Sequence, residues 1–177
     1  TLPVLFDPRI GGSLVGHLMG AIGGSMIARK TSFLLDALGE ALFESAISVI
    51  DDPLRPRGLG SRAFDGEGLP TARTAVIDKG VLNGWMMESA AARQLALKPT
   101  GHASRGGSGA PGTSPSNLHL EGGTLSVAEL ISDIDYGVYI HELSGQGVNI
   151  VTGDYSRGAA GFLIEKGEII GPVSEFT

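Results

Sequence analysis

Cysteine is absent from all 177 residues. That excludes a disulfide framework and any thiolate metal site within the chain, and it fits the reducing cytoplasm. An excess of positive charge is absent too. The formal net charge is −6, and the densest basic group (Arg55, Arg57, Arg62) is interrupted by Pro56 and flanked by acids. No nucleic-acid footprint results, and direct nucleic-acid binding is not expected. The chain has no secretory signal, internal repeat, phosphate loop, dinucleotide fingerprint or serine elbow. Only one run approaches membrane length, the uncharged residues Ile10 to Ile27, and six glycines, two serines and His17 interrupt it. We expect a buried helix there and no membrane span. Both ends, at Thr1 and Thr177, read as cuts in a longer polypeptide.

Glycine is plentiful: 28 residues, roughly twice the usual share of about 7%. It is spread without a collagen period, which suits tight turns and close backbone approaches in a β-rich fold. The hydrophobic share of 42% suffices for one core-bearing domain over residues 1–177. Helical spacing runs from Arg9 to Lys30, with Gly16, Gly20 and Gly24 as a smooth stripe for another element to approach. Residues 31–43 read as a short helix or two, with Ser32 as cap and Gly39 as stop. A strand is expected over Ser45–Pro53, then a long polar loop, then a hairpin turning at Lys79-Gly80. A short helix follows over 88–97, a loop over 98–116, and the strand "NLHLE", in which His119 should face away from the core leucines. Ser126 and Glu129 form a capping box. The tail alternates strands ("GVYIHEL", "GVNIVTG") with a hairpin turning at Lys166-Gly167. The expected fold class is α+β: a mostly antiparallel, barrel-like sheet structure with covering helices, including the glycine-rich one.

A hydrolytic site would need a nucleophile or activated water and a base. His17 has no second ligand one helical turn on, since Ala21 and Ile22 occupy those positions, and a core histidine is the simpler reading. His141-Glu142 begins "HELSGQ", but Gly145 stands where a zincin needs histidine, and the run is strand-like. His102, in "TGHASRG", is a solvated loop residue or a binder of anions or carboxylates. Asp51-Asp52 before Pro53 read as turn chemistry. Asp65 and Glu67, in "FDGEG", either structure a loop or act as acid and base, with His102 as a partner in an independent hydrolase.

The strings "GHLMGAIGGSMIARKTSFLLDALGE", "VIDDPLRPRGLGSRAFDGEG", "TGHASRG" and "VTGDYSRGAAGFLIEKGEIIGPVSE" resemble the C-terminal region of the TldD/PmbA family, in order and over essentially the whole chain. The resemblance implies a two-subunit cytoplasmic zinc metalloprotease acting on flexible peptides, also known as a DNA gyrase modulator. Its N-terminal α/β domain would precede Thr1. The family's zinc motif, "HExxxH", falls on "HLMGAI": His17 matches the first histidine, Leu18 replaces the glutamate and Ile22 the second histidine. The third ligand, a cysteine, would lie beyond Thr177. The resemblance therefore implies no catalytic and no metal residue in this chain, with His17 a relic. It implies zinc in a TldD-type partner, and a heterodimer or homodimer that encloses peptide. Candidate substrate- or interface-binding residues are Arg62, Asp65, Glu67, His102, Asp154, Tyr155, Ser156 and Arg157.

Overall fold

A computed structural model describes all 177 residues. It contains four helices and ten strands in mainly antiparallel sheets, the expected α+β class. The sheets are open, however, and the barrel-like expectation is corrected: in neither four-stranded sheet do the first and last strands pair with each other. No helix is long and apolar enough to cross a membrane. Contacts divide the chain into two compact units, residues 1–16, 122–149 and 153–177 forming one, and 17–121 with 150–152 the other.

In the first unit, β1 (Val4–Phe6) pairs in parallel with β8 (Tyr136–Val148), followed by β9 (Tyr155–Glu165) and β10 (Glu168–Phe176) in antiparallel order. Val138, Ile140 and Ala159 are buried on one face, with Phe6, Ile10, Leu143, Val173 and Phe176 packed against them. The turn at Lys166-Gly167 is present, both residues at positive φ. "GVNIVTG" is not a strand of its own. Its first two residues end β8, and residues 149–152 turn back toward β9, with the Gly153 N–H donating to the Asn149 carbonyl at 2.8 Å. Helix α4 (Val127–Ser132) starts at the expected capping box: Ser126 and Glu129 bond each other's backbone N–H. It buries no residue and does not cover a core.

Asp7 fastens the end of β1 to β8. Its carboxylate accepts from Arg9 N–H, Nε and Nη2 and from the Tyr139 hydroxyl at 2.7–2.9 Å. The bonds from Arg9 and Tyr139 hold the Asp7 carboxyl far below the usual carboxylate range and push the Tyr139 phenol up.

The second unit begins within helix α1 (Pro8–Ala21). The expected long helix is broken: the backbone of Gly23 is extended, and α2 (Gly24–Ala28) starts afresh. Tertiary pairing wins over helix continuation here. Gly23 bridges Met86, and the Gly24 N–H donates to the Met86 carbonyl at 2.6 Å. The glycine stripe serves close approach at two of its three positions. A Cβ on Gly24 would stand 2.9 Å from the Met86 carbonyl oxygen, and one on Gly20 3.0 Å from Ile150 Cδ1, whereas Gly16 meets nothing. Burial is complete only toward the end of the run, at Met19, Ala21, Ile22 and Ile27.

Residues 31–43 form turns instead of helix, because their backbone groups pair outward. Gly39 N–H donates to Leu82, and Leu42 and Phe43 N–H to Gly80. A four-stranded antiparallel sheet comes next, in the order β4 (Val81–Leu82), β3 (Thr74–Asp78), β2 (Val49–Asp51), β7 (Leu118–Leu120). Lys79 and Gly80 make the expected β3–β4 turn with φ of 48° and 84°. Helix α3 (Ser89–Gln94) packs Ala91 and Ala92 with Met87, Ala28, Trp85 and Leu95. The expected loop over 98–116 holds a small hairpin, β5 (Ala103–Ser104) with β6 (Gly112–Thr113). In β7, the exposed side chain is Leu120, while His119 is half-buried.

Candidate functional site

Strand β2 is buried at every residue, so its last side chain, Asp51, needs partners. His102 supplies one: its Nε2 lies 3.2 Å from Asp51 Oδ2, and both side chains are almost fully buried. The other oxygen, Oδ1, accepts from the Ser116 N–H at 2.8 Å and the Ser116 hydroxyl at 2.9 Å. Burial pushes the Asp51 carboxyl up, and the bonds from His102 and Ser116 outweigh it, so the group ionises below its ordinary value. On the other side of the ring, Nδ1 lies 2.8 Å from the Thr100 hydroxyl, whose oxygen accepts from Met87 N–H at 2.8 Å. A carboxylate at Nε2 places the ring proton there and leaves Nδ1 to accept from Thr100, which satisfies every member of the chain.

The neighbouring loop organises around Asp65. Its Oδ1 accepts from Glu67 and Leu69 N–H at 2.9 Å, and Oδ2 from Ala103 N–H at 3.1 Å. Burial raises its pKa, but these three backbone donors prevail and hold it below the ordinary value. Glu67 Oε2 accepts from Ser89 N–H at the start of α3, at 2.8 Å. Arg62 Nη2 donates to the Ser114 carbonyl at 2.8 Å. Arg62, Asp65, Glu67 and His102 thus share one loop cluster, joined by the Gly66 N–H bond to the Ala103 carbonyl. Neither Asp65 nor Glu67 touches the His102 ring, whose polar contacts are Asp51 and Thr100. The sequence reading gave Asp51 to turn chemistry, a role that Asp52 takes through Leu54 N–H, and it missed Thr100 and Ser116. A charged residue closing the apolar run "SAISVI" was the available signal for the first.

Asp154, Tyr155, Ser156 and Arg157 lie in the other unit, Asp154 just before β9 and the other three at its start. Tyr155 pairs with Val148, Ser156 with Gly147, and Arg157 Nε donates to the Ser144 carbonyl at 2.9 Å. Tyr155, Ser156 and Arg157 line a groove of about 420 Å³ whose walls include Leu2, Val4, Phe6, Ile140 and Leu143. An apolar trough rimmed by hydroxyls and one guanidinium can hold an extended, mixed-polarity chain.

At the positions where the resemblance places the zinc motif, the side chains do not fit a metal. Ile22 is a hydrocarbon side chain with no solvent exposure, Leu18 offers no ligand atom, and no group of three histidine or carboxylate side chains lies within ligating reach of one another. His141 stacks edge-on against Phe162 with ring centroids 5.2 Å apart, on a strand.

Fold and site together define an open-sheet α+β domain with a rigid polar loop cluster in one unit and an apolar groove in the other. The chain belongs to the PmbA/TldD family: the model of the PmbA/TldA metallopeptidase C-terminal domain matches residues 1–177. It is 43% identical to metalloprotease PmbA of Escherichia coli O157:H7 over 99% of its length and 37% of that protein's. It is 27% identical to a metalloprotease TldD homolog of Buchnera aphidicola, over all of this chain and 37% of that protein. Among solved structures, a candidate modulator of a DNA gyrase from Thermotoga maritima superposes with a TM-score of 0.88 at 34% identity, covering 98% of this chain and 40% of that one. TldE from Thermococcus kodakarensis does so at 0.84 and 28%, covering 97% and 40%. The chain therefore spans about two fifths of the proteins it matches.

Proposed function

We propose that this chain is part of a non-catalytic subunit of a TldD/PmbA-type zinc metalloprotease, acting in the cytoplasm on flexible peptides. The observation that carries the reading is Ile22. It is sealed in the core, and the family resemblance sets it at the position of a zinc-binding histidine, with Leu18 at that of the glutamate base. Neither side chain can hold a cation or take a proton from its bound water. Zinc is then supplied by a TldD-type partner, and this chain contributes interface and part of the wall around the peptide. The groove beside Tyr155, Ser156 and Arg157 supports the second role, as does the end strand β10, which pairs on one side only and offers main-chain pairing without sequence preference.

Peptidase assays on the full-length protein, alone and with a TldD-type subunit, test the reading. Cleavage of an unstructured peptide is expected only in the mixture. Chelator-sensitive cleavage by the protein alone would favour an independently active homodimer instead.

A further inference from the structure

The loop between β2 and β3 presents a leucine to solvent on a frame that leaves it little freedom. Leu59 is fully exposed, with Leu54 and Phe64 also well exposed on the same loop. Such side chains on a mobile loop would fold back against the surface. Here the backbone is tied at nearly every step. Arg62 N–H closes the loop onto the Pro53 carbonyl at 2.9 Å, Gly58 N–H bonds Arg55, and Ser61 N–H bonds Gly58. The Ser61 hydroxyl donates to the Arg55 carbonyl at 2.6 Å.

Asn117, the residue before β7, clamps the loop. Its oxygen accepts from Gly60 N–H at 2.9 Å, and its amide nitrogen reaches the Asp52 carbonyl at 2.7 Å and the Ser61 hydroxyl at 2.9 Å. The residues on either side of Leu59 are glycines, and a side chain at either would press on the clamp. A Cβ on Gly58 would lie 2.6 Å from the Asn117 amide, and one on Gly60 would run into the Ser116 carbonyl. Arg57 is held at φ 58°, a left-handed conformation costly for a residue with a side chain.

Arg55 and Arg57 are exposed beside Leu59, and neither takes part in the Arg9–Asp7, Arg73–Glu121 or His102–Asp51 pairs. In a chain of net charge −6, this is a preformed apolar tip flanked by two uncompensated guanidiniums. The match is a recess ringed by carboxylates.

We propose that residues 54–64 are a docking knob for an acidic partner chain, with Leu59 as the inserted side chain and Arg55 and Arg57 as carboxylate ligands. The inference rests on the subunit reading above and names the surface through which the catalytic chain is held. A rigid tip loses little conformational entropy on binding, so a small contact suffices for a specific interface.

The test is the affinity of the full-length protein for the TldD-type subunit of the same organism, by surface plasmon resonance at two salt concentrations. Leu59→Asp and Leu59→Ser are expected to weaken it about tenfold or more. The double variant Arg55→Ser/Arg57→Ser is expected to weaken it several-fold at low salt and less at high salt. Melting temperatures should stay unchanged, since Leu59 is unpacked. Equal affinity of wild type and variants overturns the knob and leaves the subunit reading intact. No wild-type association overturns both. Loss of self-association alone, with subunit affinity unchanged, also overturns the proposal.

Discussion

His102 Nε2 and Asp51 Oδ2 stand 3.2 Å apart, and the contact ties the loop after α3 to the end of the central strand β2. Because Asp51 also takes both donors of Ser116, three chain segments meet on one buried carboxylate.

Replacing Asp51 should therefore cost more than replacing an ordinary turn aspartate. Asp51→Ala leaves His102 and the Ser116 N–H without their acceptor, and a loss of about 2–4 kcal/mol is expected. His102→Ala, which keeps the Ser116 bonds, should cost about 1.5–3 kcal/mol. Urea unfolding of each variant, with an unchanged slope, checks both values.

Acid should loosen both units. Asp7, Asp51 and Asp65 all ionise below their ordinary range in the folded state, through bonds that an unfolded chain lacks. A carboxyl with a depressed folded pKa stabilises fully above its unfolded value, about 3.9. It loses that contribution as pH falls toward the folded value. The melting temperature should be flat from these groups between pH 5 and 7 and should fall below about pH 4. Asp65→Asn should shallow the acid limb, and a pH series of thermal melts measures it.

The glycine stripe separates into two behaviours. Gly24→Ala places a methyl against the Met86 carbonyl, Ala91 and Met87, and should destabilise by about 1–3 kcal/mol. Gly12→Ala, exposed in α1 with nothing within 4 Å, should stabilise by about 0.5–1 kcal/mol. Opposite shifts in melting temperature are the expected result.

Much of this fold was legible in local chemistry. The Lys79-Gly80 and Lys166-Gly167 turns, the Ser126–Glu129 capping box and strand β7 lie where residue pattern put them. Elements whose backbone is claimed by distant partners were not. The break at Gly23 depends on Met86, and the turns over 31–43 depend on Gly80 and Leu82, none of them visible in a local window. The site divides the same way. Asp65 as a loop organiser follows from Asp and Gly spacing, whereas the meeting of Asp51 with His102 joins residues 51 positions apart and needed the fold.

Installing the zinc-motif residues that the resemblance sets at Leu18 and Ile22 should not come free. Ile22 has no solvent exposure, so Ile22→His puts an imidazole into a hydrocarbon site and should cost about 2–4 kcal/mol. Leu18→Glu, at a half-buried position, should cost less. Denaturant midpoints of the two single variants decide the ranking.

Cobalt(II) titration of the purified protein, followed by visible absorption and elemental analysis, addresses the metal question most directly. Sub-stoichiometric uptake and no tetrahedral ligand-field bands are predicted, because Leu18 on the helix of His17 and Ile22 just after its end are hydrocarbon where base and ligand would stand. One equivalent of tightly bound ion, with bands that vanish in His17→Ala, would contradict the account.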